Sequence, residues 1–391
     1  MLLKAVLHND RLKTIQRRHP WIFSKAIKRF SGSPGSGDVV TLVSEGGDFL
    51  ARGLWSPEST IRLRVLTWED ELIDTGFWEK RLKRAIAWRG SVPPNEARRL
   101  VHAESDYLPG LVVDQYGGWL VLQALTAGID RYKHDIAEIL NKLLNPRGIY
   151  ERSDVDVRAR EGLKETTGLL LGETPPDLVE ILENNHRFWV DIQHGHKTGF
   201  YLDQRENRQI CADFVQPGMQ VMNLFSYTGG FSVYAYAAGA ETVISVDASH
   251  SALELADQNL ALNGFSDTPL LAGDVFEVLR DYRREGQTFD MIILDPPKFA
   301  KSSQNLESAL RGYKDINFLA WQLLKPNGIL MTFSCSGLVE ADLFRKVVFG
   351  ALEDAGRDAQ VLRQLEAPPD HPVALTFPEG AYLKGLLCRV I

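Results

Sequence analysis

Cysteine is scarce, with three residues in 391, too few to build a disulfide framework in a chain of this length. No uninterrupted apolar run reaches the roughly 18 residues that a membrane-spanning helix needs. The opening, MLLKAVLHND, lacks the shape of a signal peptide, and the expected compartment is a reducing cytoplasm. Internal repeats and low-complexity tracts are missing. So is the GxGxxG fingerprint of a dinucleotide dehydrogenase and the GxxxxGK[ST] loop of a nucleotide triphosphatase. His194 and His196 alternate as a metal pair would, but no third ligand stands at metal spacing, and no metal is expected. Acids are missing from Arg11 to Gly37, where Arg11, Lys13, Arg17, Arg18, Lys25, Lys28 and Arg29 are all basic.

The remaining composition is that of a soluble protein, 44% hydrophobic and 24% charged with a formal charge of -7. Net acidity argues against polyanion binding by the whole surface but leaves the basic N-terminal stretch as a local patch. The length calls for two or three domains.

Residues 1–72 carry short alternating segments, Asp38–Val43, Phe49–Trp55 and Ile61–Trp68, broken by Gly, Ser and Pro, which predicts a small β-barrel or sheet domain. The run RRHPWIF, Arg17–Phe23, is either core aromatics among solvated charges or a phosphate contact. Trp78, Leu82, Ile86 and Arg89 lie at helical spacing. Strands are expected at Leu111–Asp114, Trp119–Leu125, Gly148–Glu151 and Phe188–Ile192, with a helix over Asp130–Leu144, making an α+β module over residues 73–191. Thr166–Pro176 reads as a turn-rich loop. In GHKTGFYLDQRENR, Asp203 and Glu206 suit the start of a helix, and Asp203 and Arg205 precede the first strand of the next module closely enough to serve a ligand.

Residues 192–391 alternate regularly. Strands near 220–224, 242–247, 269–272, 289–294 and 328–334, each pair bridged by a helix, predict a mostly parallel sheet covered on both faces. Ser251 and Glu254 form a capping box, and Gly264 ends that helix. The organising stretch is QVMNLFSYTGGFSVYAYAAGAETVISVD, Gln220–Asp247. Asn223 closes its first strand, Ser226, Thr228, Gly229 and Gly230 form a turn that lets a ligand approach the backbone, and Asp247 ends its second strand, where an acid accepts hydrogen bonds from both hydroxyls of a ribose. Gly273-Asp274 follows the third strand, with Asp274 suited to an adenine amino group. A ribose and an adenine with no phosphate to cradle point to S-adenosylmethionine.

The fourth strand ends in LDPPKF, Leu294–Phe299, a rigid turn that sets Asp295 and Lys298 at the sheet's carboxyl edge, with Phe299 able to stack on a base. The fifth, ILMTFSCSG, brings Cys335 to the same edge. Cys211 on a helix and Cys388 in the last strand read as small buried hydrophobes, whereas the Ser334, Ser336 and Gly337 around Cys335 are not a core pattern. A thiolate there has a chemical use. Adding to carbon 6 of a pyrimidine, it turns carbon 5 into a nucleophile for a sulfonium methyl, after which a base removes the carbon 5 proton and elimination frees the cysteine.

RRHPWIF, AESDYLPGL, YERSDVDVR, DIQHGHKTGFYLDQR, NLFSYTGGF, DPPKF, LRGYKDIN, TFSCSG and the final HPV, FPEG and YLKG resemble, in order and spacing over essentially the whole chain, the bacterial 23S ribosomal RNA 5-methylcytosine methyltransferases with an N-terminal PUA domain. The resemblance implies an α/β fold in three parts. These are a PUA-like RNA-binding domain over 1–72, a central α+β domain over 73–191, and a C-terminal doubly wound, Rossmann-like S-adenosylmethionine-dependent methyltransferase domain over 192–391. It also implies a homodimer and Cys335 as nucleophile. Many RNA 5-methylcytosine enzymes carry a second cysteine just after the proline of the fourth-strand motif; here Pro297-Lys298 stands in its place, leaving Asp295, Lys298 and a water as alternatives for the final base.

The expected activity is formation of 5-methylcytosine in 23S ribosomal RNA. The alternatives are 5-methyluridine or guanine-nitrogen methylation, or a non-catalytic RNA-binding assembly factor. The candidate catalytic residues are Cys335, Asp295 and Lys298. Tyr201, Arg205, Asn223, Phe225, Ser226, Tyr227, Gly229, Asp247, Ala248, Asp274, Val275 and Asp295 are the candidates for cofactor binding, and Arg17, Arg18, Lys25, Lys28 and Phe299 for RNA.

Overall fold

The computed structural model describes residues 3–91, 93, 95–300 and 303–391. The chain divides into two compact units that interleave along the sequence, the first made of Met1–Leu182, Val190–Leu202 and Pro369–Gly380, the second of Glu183–Trp189, Asp203–Pro368 and Ala381–Ile391.

The first unit begins with a six-stranded sheet in the spatial order Trp21–Phe23, Ile61–Thr67, Phe49–Trp55, Val39–Val43, Lys4–Leu7 and Ile27–Ser31. Alternating residues of these strands, among them Ala5, Ile22, Leu42, Ala51, Leu63 and Val65, bury one face as a small core. A five-stranded sheet follows, ordered Thr166–Gly172, Gly148–Ser153, Trp119–Ala124, Leu111–Tyr116 and Ala97–His102. Two helices pack on it. Thr75–Trp88 starts where Asp74 accepts the Phe77 N–H at 2.9 Å, and Ala127–Leu144 starts where Thr126 accepts that of Ile129. Leu54 and Leu66 of the first sheet share a core with Leu82, Leu122 and Ile136, which binds both sheets into one unit.

The segment expected to be a loop, Thr166–Pro176, is instead largely strand. Thr166–Gly172 pairs antiparallel with Gly148–Ser153 at the edge of the sheet. Its glycines mimic a turn, but Gly172 sits at φ +81 with its Cα facing Arg147 and Gly148 closely enough that a Cβ would lie 2.4 Å from the Arg147 carbonyl oxygen. A close approach of two strands, not a chain reversal, requires glycine there.

The second unit is built on seven strands ordered Leu270–Ala272, Thr242–Asp247, Gln220–Leu224, Phe289–Leu294, Leu324–Ser334, Lys384–Val390 and Ala359–Leu365. The first five run parallel, and Lys384–Val390 alone runs against them, pairing antiparallel with both Leu324–Ser334 and Ala359–Leu365. Successive side chains enter separate cores on the two faces: Met222, Leu224, Ile292 and Leu294 join Trp321 and Phe344 on one, and Val221, Met291 and Ile293 join Cys211 and Phe333 on the other. Burial on both faces is why these strands read as unbroken apolar runs. The α/β architecture expected for the C-terminal part is present.

Two helix starts differ from expectation. Ser249, not Ser251, caps His250–Leu262, its hydroxyl accepting the Ala252 N–H at 3.2 Å. Asp203 does not cap Arg205–Phe214; it lies in a short 3-10 turn and accepts the Tyr382 hydroxyl at 2.6 Å, a partner from the far end of the chain. No helix among the described residues is long and apolar enough to cross a membrane.

Candidate active site

In the second unit the parallel register places Leu224 opposite Val246 and Leu294, and Leu294 opposite Thr332. Four neighbouring strands therefore end together, and the segments that begin at Phe225, Ala248, Asp295 and Cys335 leave the sheet along one carboxyl edge. Ligands of open α/β sheets bind at such an edge.

The turn after Gln220–Leu224 is held in an unusual backbone conformation. Phe225, Tyr227 and Gly229 have φ of 59°, 47° and 78°. Only glycine adopts such values without penalty, so two side-chain-bearing residues here store strain that the surroundings must hold. The holding bonds run from the Ser226 N–H to the Val246 carbonyl at 2.9 Å and from the Tyr227 N–H to Asp247 Oδ2 at 2.8 Å. Asp247 Oδ1 accepts the Ser249 N–H at 2.9 Å. Each oxygen of this half-buried carboxylate keeps a second lone pair. Ala248 beside it is exposed.

Behind the turn, Asn223 Nδ2 donates to Ser232 Oγ at 2.8 Å, and Ser232 bonds Ser245 at 2.7 Å. Three other buried polar atoms of the same turn, Asn223 Oδ1, Ser226 Oγ and Thr228 Oγ1, have no partner. Leaving such atoms unsatisfied costs about 1–3 kcal/mol each, and their concentration within six residues fits a turn built to receive a polar ligand. Beneath it a bidentate pair joins Arg208 to Glu183 at 2.7 Å on both arms, and Tyr234 donates its hydroxyl to Glu183.

The remaining cofactor candidates are placed unevenly. Asp274 caps Val275–Arg284, its Oδ1 accepting the Phe276 and Glu277 N–H groups at 2.8 and 3.1 Å, which leaves Oδ2 outward. Val275 points its side chain into the apolar core, so only its backbone is available to a ligand. Arg205 is the first residue of its helix, buried, with Nε 3.3 Å from Glu206. Tyr201 belongs to the first unit, where its ring lies 4.4 Å from Lys197 Nζ and its hydroxyl 3.3 Å from His196 Nδ1.

Of the catalytic candidates, Asp295 is half-buried and Lys298 exposed. Phe299 packs against Tyr313, Phe276 and Phe225 with ring centres 4.7, 6.3 and 6.4 Å apart, and so forms an aromatic wall with the cofactor turn. Cys335, half-buried, follows the last residue of Leu324–Ser334. Its neighbours form a hydroxyl network in which Ser334 Oγ donates to the Tyr313 hydroxyl at 2.9 Å and that hydroxyl lies 3.2 Å from Ser336 Oγ. Burial pushes the thiols of Cys211 and Cys388 up to about 12, which makes both inert.

Sequence reasoning missed Lys384. Its signal was a single lysine interrupting the apolar run that begins at Tyr382. The side chain is buried, and Nζ donates to the carbonyl oxygens of Ser336 and Val339, both at 2.7 Å.

In the first unit Arg17 and Arg18 are exposed, and the Arg18 guanidinium lies 6.0 Å from the centre of the Trp68 ring. Lys25 is exposed, and Lys28 pairs with Glu45 at 2.6 Å. Within RRHPWIF, Trp21 packs edge-on to Phe377 at 4.9 Å and donates its indole N–H to Glu104 at 2.8 Å, while Arg17 and Arg18 face solvent. Among the described residues no cluster of His, Cys, Asp or Glu could hold a metal.

A doubly wound sheet with a strained glycine turn, an acid closing the second strand and a DPPKF turn at the same edge defines a Rossmann-like methyltransferase of the S-adenosylmethionine-dependent class. The family described as S-adenosylmethionine-dependent methyltransferase matches residues 157–389, and a PUA-like domain family matches residues 5–68. The chain is 53% identical to the ribosomal RNA large subunit methyltransferase I of Tolumonas auensis, 52% to that of Aeromonas hydrophila and 47% to that of Escherichia coli, each alignment covering 100% of both chains. It belongs to the ribosomal RNA large subunit methyltransferase I family. A solved putative S-adenosylmethionine-dependent methyltransferase from Streptococcus mutans shares the fold at a TM-score of 0.85 and 23% identity over 100% of both chains. A second solved chain, at the same score, identity and coverage, is a putative methyltransferase complexed with SAH. S-adenosylmethionine is thus the cofactor, and the unpartnered polar atoms of the turn fit it.

Proposed function

We propose that the protein methylates carbon 5 of a cytosine in large-subunit, 23S ribosomal RNA, with Cys335 as covalent nucleophile. The observation that carries this reading is the convergence of Cys335, Asp295 and the 223–230 turn on one edge of three adjacent parallel strands. Relatives of 47–53% identity named for large-subunit ribosomal RNA support the substrate. A nitrogen methyltransferase would have no use for a thiol at this edge.

S-adenosylmethionine, when bound, supplies an electrophilic methyl group. Asn223, Ser226 and Thr228 are the groups of the turn with hydrogen bonds to offer it, and Asp247 has lone pairs for its ribose hydroxyls. Cys335 Sγ adds to carbon 6 of the cytosine, making carbon 5 electron-rich. After methylation the carbon 5 proton passes to a base, a role we give to Asp295 at the end of the neighbouring strand, and the carbon–sulfur bond breaks to return the thiolate. A target base leaves its stack at a cost of a few kcal/mol, least in a loop that is already unpaired. Arg17, Arg18 and Lys25 on the PUA-like part supply exposed positive charge for phosphates. A cytoplasmic homodimer is the expected working form.

Incubating Cys335→Ala with a 23S ribosomal RNA fragment and analysing its nucleosides by mass spectrometry tests this. We expect no 5-methylcytidine, with cofactor affinity within a few-fold of the parent. Full methylation by the variant refutes the covalent route.

A further inference from the structure

Lys384 is a buried cation with no carboxylate partner among the described residues. It opens the strand Lys384–Val390, which pairs antiparallel with Leu324–Ser334, and stands opposite Ser334, the residue before Cys335. With 9% of its surface exposed, its ammonium donates to the carbonyls of Ser336 and Val339 at 2.7 Å. Those two carbonyls bracket the turn that follows the thiol, a turn closed by the Val339 N–H bonding to the Ser336 oxygen at 3.1 Å. An ammonium has three protons, and two are used here. No Asp or Glu among the described residues lies within ion-pair reach of Nζ.

Burying a charge without an opposite one costs several kcal/mol, and an apolar side chain of equal length would fill the position at no such cost. The charged and titratable groups facing Lys384 are Cys335, whose negative form attracts it, and Lys298, which repels it; burial outweighs both and brings the lysine down to about 8. Across the turn the Tyr313 hydroxyl is bonded to Ser334 and Ser336, and Asp295 follows the last residue of the next strand. The negative charge that suits this cation is the thiolate of Cys335.

We propose that Lys384 is the positioning residue of Cys335: it anchors the turn bearing the thiol through two carbonyls, and its positive charge favours the thiolate over the thiol. The inference rests on the reading of Cys335 as nucleophile. The thiol proton goes to solvent, the sulfur adds to the base as thiolate, and on elimination it departs as thiolate again, so the same charge assists entry and exit.

Two substitutions in the full chain separate anchor from charge. Lys384→Gln keeps N–H donors for the carbonyls and loses the charge, whereas Lys384→Met loses both. The readout is the pH profile of Cys335 alkylation by iodoacetamide, followed by peptide mass spectrometry, with S-adenosylmethionine affinity as a check on the fold. For Lys384→Gln we expect cofactor affinity within about threefold of the parent and an alkylation midpoint about one pH unit higher, so about tenfold slower alkylation at neutral pH. Methylation should lose kcat with little change in KM. An unshifted midpoint in Lys384→Gln overturns the proposal, even where Lys384→Met shifts it, since the effect is then anchoring alone. A shifted midpoint combined with full methylation by Cys335→Ala upholds the Lys384–Cys335 coupling and refutes the nucleophile reading instead.

Discussion

Asp247→Asn changes one atom of the side chain and tests what holds the cofactor turn. The carboxylate accepts two backbone N–H groups, from Tyr227 at 2.8 Å on one oxygen and from Ser249 at 2.9 Å on the other. An amide has a single accepting atom. Whichever way it turns, an NH2 group meets a backbone donor, and one charge-assisted bond worth about 1.5–3 kcal/mol is lost. If the Tyr227 bond is the one lost, a residue at φ 47° loses its tether and the turn relaxes toward an unstrained conformation that no longer fits the ligand. If the Ser249 bond is lost, the NH2 occupies the place from which an oxygen accepts a ribose hydroxyl. Either outcome raises the dissociation constant for S-adenosylmethionine by roughly 10- to 150-fold. Isothermal titration calorimetry on the full chain measures it, with circular dichroism confirming that the fold persists. A constant within twofold of the parent, in a folded variant, refutes the assignment of Asp247 to the cofactor and the claim that the turn depends on it.

Glu183→Ala removes the bidentate partner of the Arg208 guanidinium, whose side chain is 3% exposed against 0% for that partner, and should cost about 3–5 kcal/mol in urea unfolding, whereas Glu173→Ala, breaking a pair 63% exposed on both sides, should cost at most about 1 kcal/mol; equal losses would show that burial does not govern these pairs. The buried Lys384 also makes a signed prediction about pH. Its value falls from 10.5 to about 8 on folding, so between those limits the unfolded chain binds the extra proton, and the stability of the parent rises relative to Lys384→Met as pH increases from about 8 to 10.5. The thiols of Cys211 and Cys388 act in the opposite direction but are common to both proteins and cancel in the difference; a flat difference across this window would contradict the burial of a titrating lysine.

Much of the second unit was legible because its signals are local. Apolar runs of strand length with intervening helical spacing located the parallel strands, and the Gly-Gly pair and the two prolines after Asp295 mark where the chain leaves the strands. Even the convergence of the candidate turn, Asp295 and Cys335 follows from local pattern together with one topological rule, that parallel strands joined by right-handed crossovers end on the same side. Where two readings competed locally, the outcome depended on distant partners. Asp203 looked like a helix cap, yet its carboxylate is taken by Tyr382, 179 residues away. Thr166–Gly172 looked like a loop because glycine at a close strand approach and glycine in a turn are the same letter.

The amino-acid sequence by itself determined the α/β character of the second unit and singled out the candidate cofactor turn and the candidate nucleophile Cys335, since each depends on side-chain type and short-range spacing. Only the tertiary structure decided that Lys384–Val390 inserts between Leu324–Ser334 and Ala359–Leu365, against chain order, and that Pro369–Gly380 joins the first unit. That insertion carries a lysine from the end of the chain to the turn beside Cys335. The physical reason is that strand neighbours are selected by burial and hydrogen bonding over the whole unit, a competition that no window of adjacent residues contains.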